Sequence, residues 1–149
     1  MDKIKYITGL ILSSRDPDKL ADFYRDILNV PVVKTEHGGT QTHYECDLGD
    51  VHFAIHPVYP GQPMPLNTAV KIGFAVFDLD KVIESLKSKN ITFYGPMTAD
   101  FGVVIGLVDP EGNGINFYQH SKSHCENIEK KRSDFDMIAD WKRSCIEEE

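Results

Sequence analysis

Apolar and polar positions recur in the same order in two stretches of this chain. Each stretch opens with an apolar, β-rich run, at 6–13 and at 69–77, that predicts a strand. Segments whose apolar residues lie three to four positions apart follow at 20–28 and at 82–86, and they predict amphipathic helices. The pattern therefore predicts a strand and then a helix, twice.

Each predicted helix leads into a short apolar run, at 30–34 and at 91–94, that predicts another strand, and then into a hairpin. The two hairpins cover 40–56 and 102–119, and the second turns through the sequence DPEGNG at 109–114. Proline presets φ for a turn, while glycine and asparagine tolerate the positive φ that reversal of the chain requires. We therefore expect the second hairpin to have a polar tip.

Both predicted helices begin and end with the same residue types. Asp16 and Asp78 suit the N-cap position, and each is followed two positions later by another aspartate, which favours the positive end of a helix. Asn29 and Asn90 follow the last apolar positions and end the two helices. The agreement of caps, spacing and order indicates an internal duplication.

The duplication predicts two β-α-β-β-β modules in tandem, at about 4–57 and 69–120. A half of roughly 60 residues would bury too little surface alone, so the modules should share one structure. We therefore predict one α+β domain over 1–120, with its modules joined by the proline-rich segment 57–66.

The remaining residues, 121–149, are mostly charged and form a C-terminal extension. Phe135, Ile138 and Trp141 lie three positions apart, which predicts a helix laid on the domain or on a partner subunit. Trp141 would then be a packing or interface anchor.

Charge and composition narrow the functions open to this chain. The formal net charge of −7 argues against nucleic acid or an anionic membrane as partner, because both attract basic surfaces. No apolar run approaches the roughly 20 residues of a membrane span, and the N-terminal MDKIKYITGL lacks the long apolar region of a signal peptide. Three widely spaced cysteines without a CxxC pair are typical of reduced thiols. We therefore expect a cytoplasmic protein.

Polar side chains alternate with apolar ones along the first hairpin. One face of its strands carries His43, Glu45 and Asp47 together with His52 and His56. Such a face could bind zinc, supply a general base near neutral pH, contact a non-metal ligand, or simply be solvated and hydrogen-bonded. His52 and His56 would lie about 13 Å apart at roughly 3.3 Å per residue, so chelation by this pair would need a bend in the strand.

Three side chains in the second module are further candidates. Lys71 begins a predicted strand, where its ammonium could attract an anionic ligand or face solvent at a sheet edge. Asn116 and Tyr118 point to one face of the last predicted strand, opposite Ile115 and Phe117. They could hydrogen-bond a ligand or merely neighbouring strands.

Segments 7–32, 71–81 and 108–119, with the motifs DPDKLADFY at 16–24 and DPEGN at 109–113, resemble the vicinal oxygen chelate superfamily. That superfamily includes glyoxalase I, extradiol dioxygenases and bleomycin resistance proteins. The resemblance implies a fold of paired βαβββ modules, with curled mixed sheets around a cup, and often a homodimer.

The resemblance also implies where a divalent metal would bind. Its ligand positions fall at Gly9 (or Ile7), Ala54, Lys71 and Asn116 of this chain. Glycine, isoleucine, alanine and lysine cannot serve as ligands, and an asparagine carbonyl is a weak one for such a metal. We therefore expect no metal cofactor, although a relocated divalent metal site on the first hairpin stays an alternative.

These observations favour a small, aromatic or anionic molecule bound in the cup without a metal, as in a resistance protein that sequesters a toxic compound. The alternatives are a metal-dependent lyase, isomerase or dioxygenase, and a dimeric interaction module that uses the C-terminal helix. The candidate ligand-binding residues are His43, Glu45, His52, His56, Lys71, Asn116 and Tyr118.

Overall fold

The computed structural model describes residues 7, 9–36, 42–58 and 70–133. The first two positions of the predicted hairpin at 40–56, most of the connection between the modules, and the apolar positions Phe135, Ile138 and Trp141 lie outside these residues.

Module 1 folds into one four-stranded mixed sheet. Its elements are strand β1 (Gly9–Ser14), helix α1 (Pro17–Asp22) with a π-helical turn (Phe23–Ile27), and strands β2 (Val33–Thr35), β3 (His43–Leu48) and β4 (Val51–Pro57). The strand order is β1-β4-β3-β2, in which β1 and β4 run parallel and the other neighbours run antiparallel.

Module 2 repeats this topology. Its elements are β5 (Lys71–Ala75), α2 (Leu79–Ser88), β6 (Tyr94–Ala99), β7 (Gly102–Val108) and β8 (Gly114–His120), and helix α3 (Lys122–Ser133) follows. The strand order is β5-β8-β7-β6, with β5 and β8 parallel. The predicted α+β fold of tandem βαβββ modules is confirmed.

Matching helix ends extend the duplication to single residues. The carboxylates of Asp16 and Asp78 each accept a hydrogen bond from a backbone N–H three residues on, at 3.1 Å, as N-caps do. Asn29 and Asn90 both have positive φ, at 59° and 55°, a conformation that asparagine tolerates better than most residues. The predicted helix boundaries therefore rest on the same local chemistry in both modules.

The second strand of each module differs from its prediction. The run at 30–34 yields a strand only at Val33–Thr35, and the run at 91–94 yields one that begins at Tyr94 and continues to Ala99. Val30 is buried in the hydrophobic core, and Ile91 packs against the same core. These apolar residues therefore anchor the connection that precedes each strand.

The two modules share one hydrophobic core. Side chains on the helix-covered faces of both sheets belong to a single cluster, in which the ring of Phe74 lies 6.3 Å from that of Phe53 and 5.7 Å from that of Phe117. Since both apolar faces turn toward this core, the opposite faces of the two sheets turn away from it.

The tip of the second hairpin is polar, as predicted, and two of its polar residues, Asp109 and Asn113, are buried while Pro110 and Gly112 stay exposed. Asp109 is 4% exposed, and its carboxylate accepts hydrogen bonds from the backbone N–H groups of Glu111 and Asn113 and from the Asn113 side chain. The Tyr24 hydroxyl of module 1 donates to the same carboxylate at 3.1 Å. Burial and the neighbouring Asp109 carboxylate raise the pKa of Tyr24. The tip therefore joins the modules.

Glu111 adds a second link at the same junction. Its Oε1 atom accepts a hydrogen bond from Ser14 Oγ at 2.6 Å and another from the backbone N–H of Arg15 at 3.0 Å. The corner between β1 and α1 in module 1 is thus tied to the turn of module 2.

Candidate ligand site

Each sheet has a polar face that looks away from the shared core. We call polar face 1 the side of the module 1 sheet that carries His43, Glu45 and Asp47 on β3 and His52 and His56 on β4. The ladder pairs Glu45 with Ala54 and Asp47 with His52, so these residues share one face as the alternation predicts. The partners on β3 and β4 with the opposite orientation, such as Tyr44 and Phe53, belong to the core.

The structure brings the predicted side chains of polar face 1 into contact. Glu45 Oε2 lies 3.3 Å from His43 Nε2 and 3.3 Å from His52 Nε2, and Asp47 Oδ1 lies 3.2 Å from His52 Nδ1. The ring of His56 stacks on that of His43 with centroids 4.2 Å apart. Two carboxylates and three imidazoles therefore form one connected cluster.

The donor and acceptor pattern of this cluster suits acid–base or hydrogen-bond chemistry. Carboxylates only accept hydrogen bonds, so His52 can donate to both Glu45 and Asp47 only when both ring nitrogens carry a proton. His43 is 1% exposed, whereas the Glu45 side chain beside it is only partly buried and reaches the surface of the face. The carboxylates of Glu45 and Asp47 can accept a ligand's hydrogen bonds.

We call polar face 2 the side of the module 2 sheet that carries Lys71 on β5 and Asn116, Tyr118 and His120 on β8. Lys71 lies exposed on an edge strand. The Asn116 side-chain amide donates to the Tyr118 hydroxyl at 2.8 Å, so these two candidates contact each other directly.

Aromatic rings extend this face beyond the predicted residues. The ring of Tyr118 lies 5.8 Å from Phe101 and stacks on His120 at 5.7 Å, and His120 stacks on His124 at 4.6 Å. The Nδ1 atom of His120 is buried without a hydrogen-bond partner among the described residues. His120 is not among the candidates predicted from the sequence, although it continues the alternation of positions 116 and 118.

The residues at the metal positions implied by the resemblance do not fit a metal. Gly9 lies on β1 beside His52, Ala54 lies beside Ile11, and Asn116 lies beside Gly73, so glycine and alanine occupy places where donors would be needed. In the described part of the chain, no group of three or more His, Cys, Asp or Glu side chains is arranged to hold a metal ion. The expectation of a metal-free site stays a prediction.

Large apolar side chains are exposed on both polar faces. Ile11 and Val33 on polar face 1 are 58% and 62% exposed, and Val33 pairs with Glu45 across the ladder. Tyr94 and Val108 are exposed on polar face 2, where Tyr94 pairs with Gly106 and Val108 with Gly114. Each face therefore combines convergent polar groups with uncovered apolar area.

Cys46 lies on the opposite side of the first hairpin and packs against the core. Burial, and to a lesser extent Asp47, raise the pKa of its thiol. This environment disfavours the reactive thiolate.

Solved structures with the same fold include proteins of several functions. An antibiotic binding protein from Streptomyces sp. CB03234 aligns with a TM-score of 0.66 and 18% identity, over 81% of this chain and 100% of its own. A virulence protein from Salmonella typhimurium aligns with a TM-score of 0.64 and 21% identity, over 80% of this chain and 100% of its own. A putative glyoxalase family protein from Bacillus anthracis aligns with a TM-score of 0.62 and 14% identity, over 81% of this chain and 99% of its own.

Comparison with curated proteins gives no match. No helix among the described residues is long and apolar enough to cross a membrane. Residues 3–117 match the family described as the Glyoxalase/Bleomycin resistance protein/Dioxygenase superfamily, which agrees with the duplicated topology and with the solved structures. The chain therefore belongs to the Glyoxalase/Bleomycin resistance protein/Dioxygenase superfamily.

Proposed function

We propose that this chain binds a small molecule on its polar faces without the help of a metal. The observation that carries the proposal is the combination, on each face, of exposed apolar side chains with polar groups that already contact one another. Small-molecule sites are typically apolar surfaces with a few well-placed polar groups, and clustered exposed apolar area often marks an interaction site.

The chemistry of polar face 2 favours an aromatic ligand with an anionic group. Tyr118, Phe101 and His120 offer rings for stacking, and Lys71 supplies an exposed ammonium on the same face. Lys71 pairs with Gly114 across the ladder, and the small residue leaves its side chain uncovered by a neighbour on β8. The Streptomyces protein of the same fold is described as antibiotic binding, which supports sequestration as the role of such binding.

A thermal-shift screen against aromatic carboxylic and sulfonic acids tests the proposal. A ligand at 100 times its Kd should add about 2.7 kcal/mol to the free energy of unfolding. Replacing Lys71 by Met should weaken binding of an anionic hit, whereas Lys122→Met, which removes an exposed lysine on α3, should leave it unchanged. Hits that bind both variants and the wild type equally would argue against polar face 2 as the site.

One contact favours an enzyme as the second candidate. Glu45 Oε2 lies 3.3 Å from Nε2 of the buried His43, an arrangement in which a carboxylate can orient an imidazole that acts as general base. A lyase, isomerase or dioxygenase relative would convert its ligand. Incubation of each screening hit with the protein, followed by mass spectrometry, separates the candidates, since turnover that is lost in Glu45→Gln would establish catalysis.

We also propose that the protein acts as a homodimer. A second copy would cover Ile11 and Val33, which are exposed on the two edge strands of polar face 1, and would leave polar face 2 open to its ligand. Light scattering should then give twice the mass of the chain, and Val33→Asp should shift the mass toward the monomer. A wild-type monomer at high concentration would contradict this part of the proposal.

A further inference from the structure

A groove separate from both polar faces lies at the seam between the modules, on the side of the sheets that the helices cover. This open groove has a volume of about 520 Å³, within the roughly 300–1,000 Å³ typical of small-molecule sites. The end of the π-helical turn forms one wall and α2 forms the other. Leu48 of module 1 and Phe74 and Phe117 of module 2 contribute its apolar lining.

Helix α2 presents a polar row along this groove above an apolar one. Lys81, Ser85 and Lys89 recur every four residues, so they lie on the same side of the helix, and Val82 and Leu86 line the groove beside them. At about 1.5 Å per residue, the two lysines stand roughly 12 Å apart along the helix axis. Lys81 Nζ lies 3.2 Å from the Asp78 carboxylate, so its charge is already paired. The groove is therefore elongated and apolar inside, with the Lys89 ammonium at one end.

The charges at the end near Lys89 favour an anion. Lys89 Nζ donates to the backbone carbonyls of Asp26 and Ile27, at 2.9 and 3.1 Å, which are neutral acceptors. In the described part of the chain these contacts use two of the three donors of its ammonium. The Asp26 carboxylate lies at the same end, but both of its oxygens are engaged by Arg25, at 2.8 and 2.9 Å.

We propose that this groove binds an apolar monocarboxylate, with its hydrocarbon chain on Phe74, Phe117 and Leu48 and its carboxylate at Lys89. Charge complementarity selects the occupant, because the Lys89 ammonium has one donor beyond its two backbone carbonyl contacts among the described residues, while the neighbouring Asp26 carboxylate is held by Arg25. The proposal is independent of ligand binding on the polar faces.

Calorimetric titration with decanoate, and with the neutral decanamide as its matched ligand, tests the proposal. We expect saturable binding of one decanoate per chain, at least tenfold tighter than that of decanamide, since a charge-assisted hydrogen bond is lost with the amide. Absence of saturable binding, or equal affinity for the two ligands, would overturn it.

Substitutions on one helix locate the binding. Lys89→Met should weaken decanoate binding about tenfold and Lys89→Arg should restore it, whereas Lys87→Met, an exposed lysine of α2 outside the groove, should stay within twofold of the wild type. Ser85→Trp should fill the groove and abolish binding without loss of the cooperative thermal transition. Tyr118→Ala should have no effect, which distinguishes this site from polar face 2.

Decanoate binding that persists in Ser85→Trp would place the ligand elsewhere and refute the proposal. A dimer that Ser85→Trp dissociates, with no decanoate binding to the wild type, would show that a second copy occupies the groove and would refute it equally.

Discussion

The two polar faces occupy the same place in two copies of one scaffold, yet their chemistry differs. The ladder position that holds Gly9 and His52 in module 1 holds Lys71 and Gly114 in module 2. Where Glu45 stands beside Ala54 on polar face 1, Gly106 stands beside Asn116 on polar face 2. Polar face 1 is thus rich in carboxylates and imidazoles, and polar face 2 carries an ammonium, an amide and aromatic rings.

The comparison shows that the two modules keep the same strand register, whereas the side chains on their polar faces differ. The caps, the positive-φ asparagines and the strand order match because they determine the fold. The side chains on the polar faces do not belong to the shared core, so they can differ between the modules without disturbing the fold. A ligand that contacts both faces would meet hydrogen-bonding groups on one and stacking surfaces on the other.

The largest expected effect comes from the turns of the two hairpins. Asp109→Ala should lower the free energy of unfolding by about 4 kcal/mol, because it leaves Tyr24 and Asn113 without their buried acceptor. Asp50→Ala, in the exposed turn of the module 1 hairpin, should cost less than about 1 kcal/mol. Urea unfolding measures both, and equal losses would contradict the role of the module 2 turn as the junction.

Matched positions of the two faces test how an aromatic ligand divides between them. His56 and Tyr118 lie at equivalent places in the ladders, beside Ser13 and Ala75. Tyr118→Ala should weaken binding of an aromatic anion by about 2 kcal/mol, roughly 30-fold, because it removes a stacking surface. His56→Ala should weaken it less, because an imidazole offers a ligand a smaller stacking surface than the phenol ring of Tyr118, and both rings already stack on a neighbour. The reverse order, measured by calorimetry, would assign the aromatic group to polar face 1.

Tyr24 gives the junction a pH dependence. Burial beside Asp109 raises its pKa, so the stability from the neutral hydroxyl is complete below the ordinary tyrosine pKa near 10 and is lost as the pH rises from there toward the raised value. Tyr24→Phe should therefore cost about 1.5 kcal/mol at pH 8, and the difference from wild type should shrink above about pH 10. Urea unfolding at the two pH values checks this, and a difference that grows with pH would contradict it.

Substitutions of the two N-cap residues should have the smallest effects on stability, and the effects should be similar in the two modules. Asp16→Ala and Asp78→Ala should each lower the melting temperature by a few degrees at pH 7. Hydrogen bonds from Lys81 lower the pKa of Asp78, so its contribution is present above the ordinary aspartate pKa and is lost as the pH falls through the lowered value. Calorimetric scans should show the Asp78→Ala difference vanish in strong acid, and a constant difference would contradict the cap.

Local pattern was enough to predict much of the fold and one face of the site. Alternation along the first hairpin predicted that His43, Glu45 and His52 share a face, because side chains in a strand alternate strictly. Cap residues and spacing predicted both helices. The prediction of the second strands was less accurate, since apolar residues such as Val30 and Ile91 serve the core from a connection and not from a strand.

Contacts between distant positions could not be predicted from pattern. The hydrogen bond from Tyr24 to Asp109 joins residues 85 positions apart. Tyrosine in a helix and aspartate in a turn are both common, so neither residue type signals the contact. The groove at the seam likewise arises only when the modules pack together, because its walls come from both. The aromatic row through His120 and His124 depends on where α3 begins relative to β8.

The central claim is that the polar faces bind a small molecule through their own side chains. The most direct test is a calorimetric titration of the best screening hit into protein that has been dialysed against EDTA. We predict a Kd within twofold of that for the undialysed protein, since Gly9 and Ala54 provide no metal ligands. Binding that disappears after chelation and returns when a divalent metal is added would contradict the account.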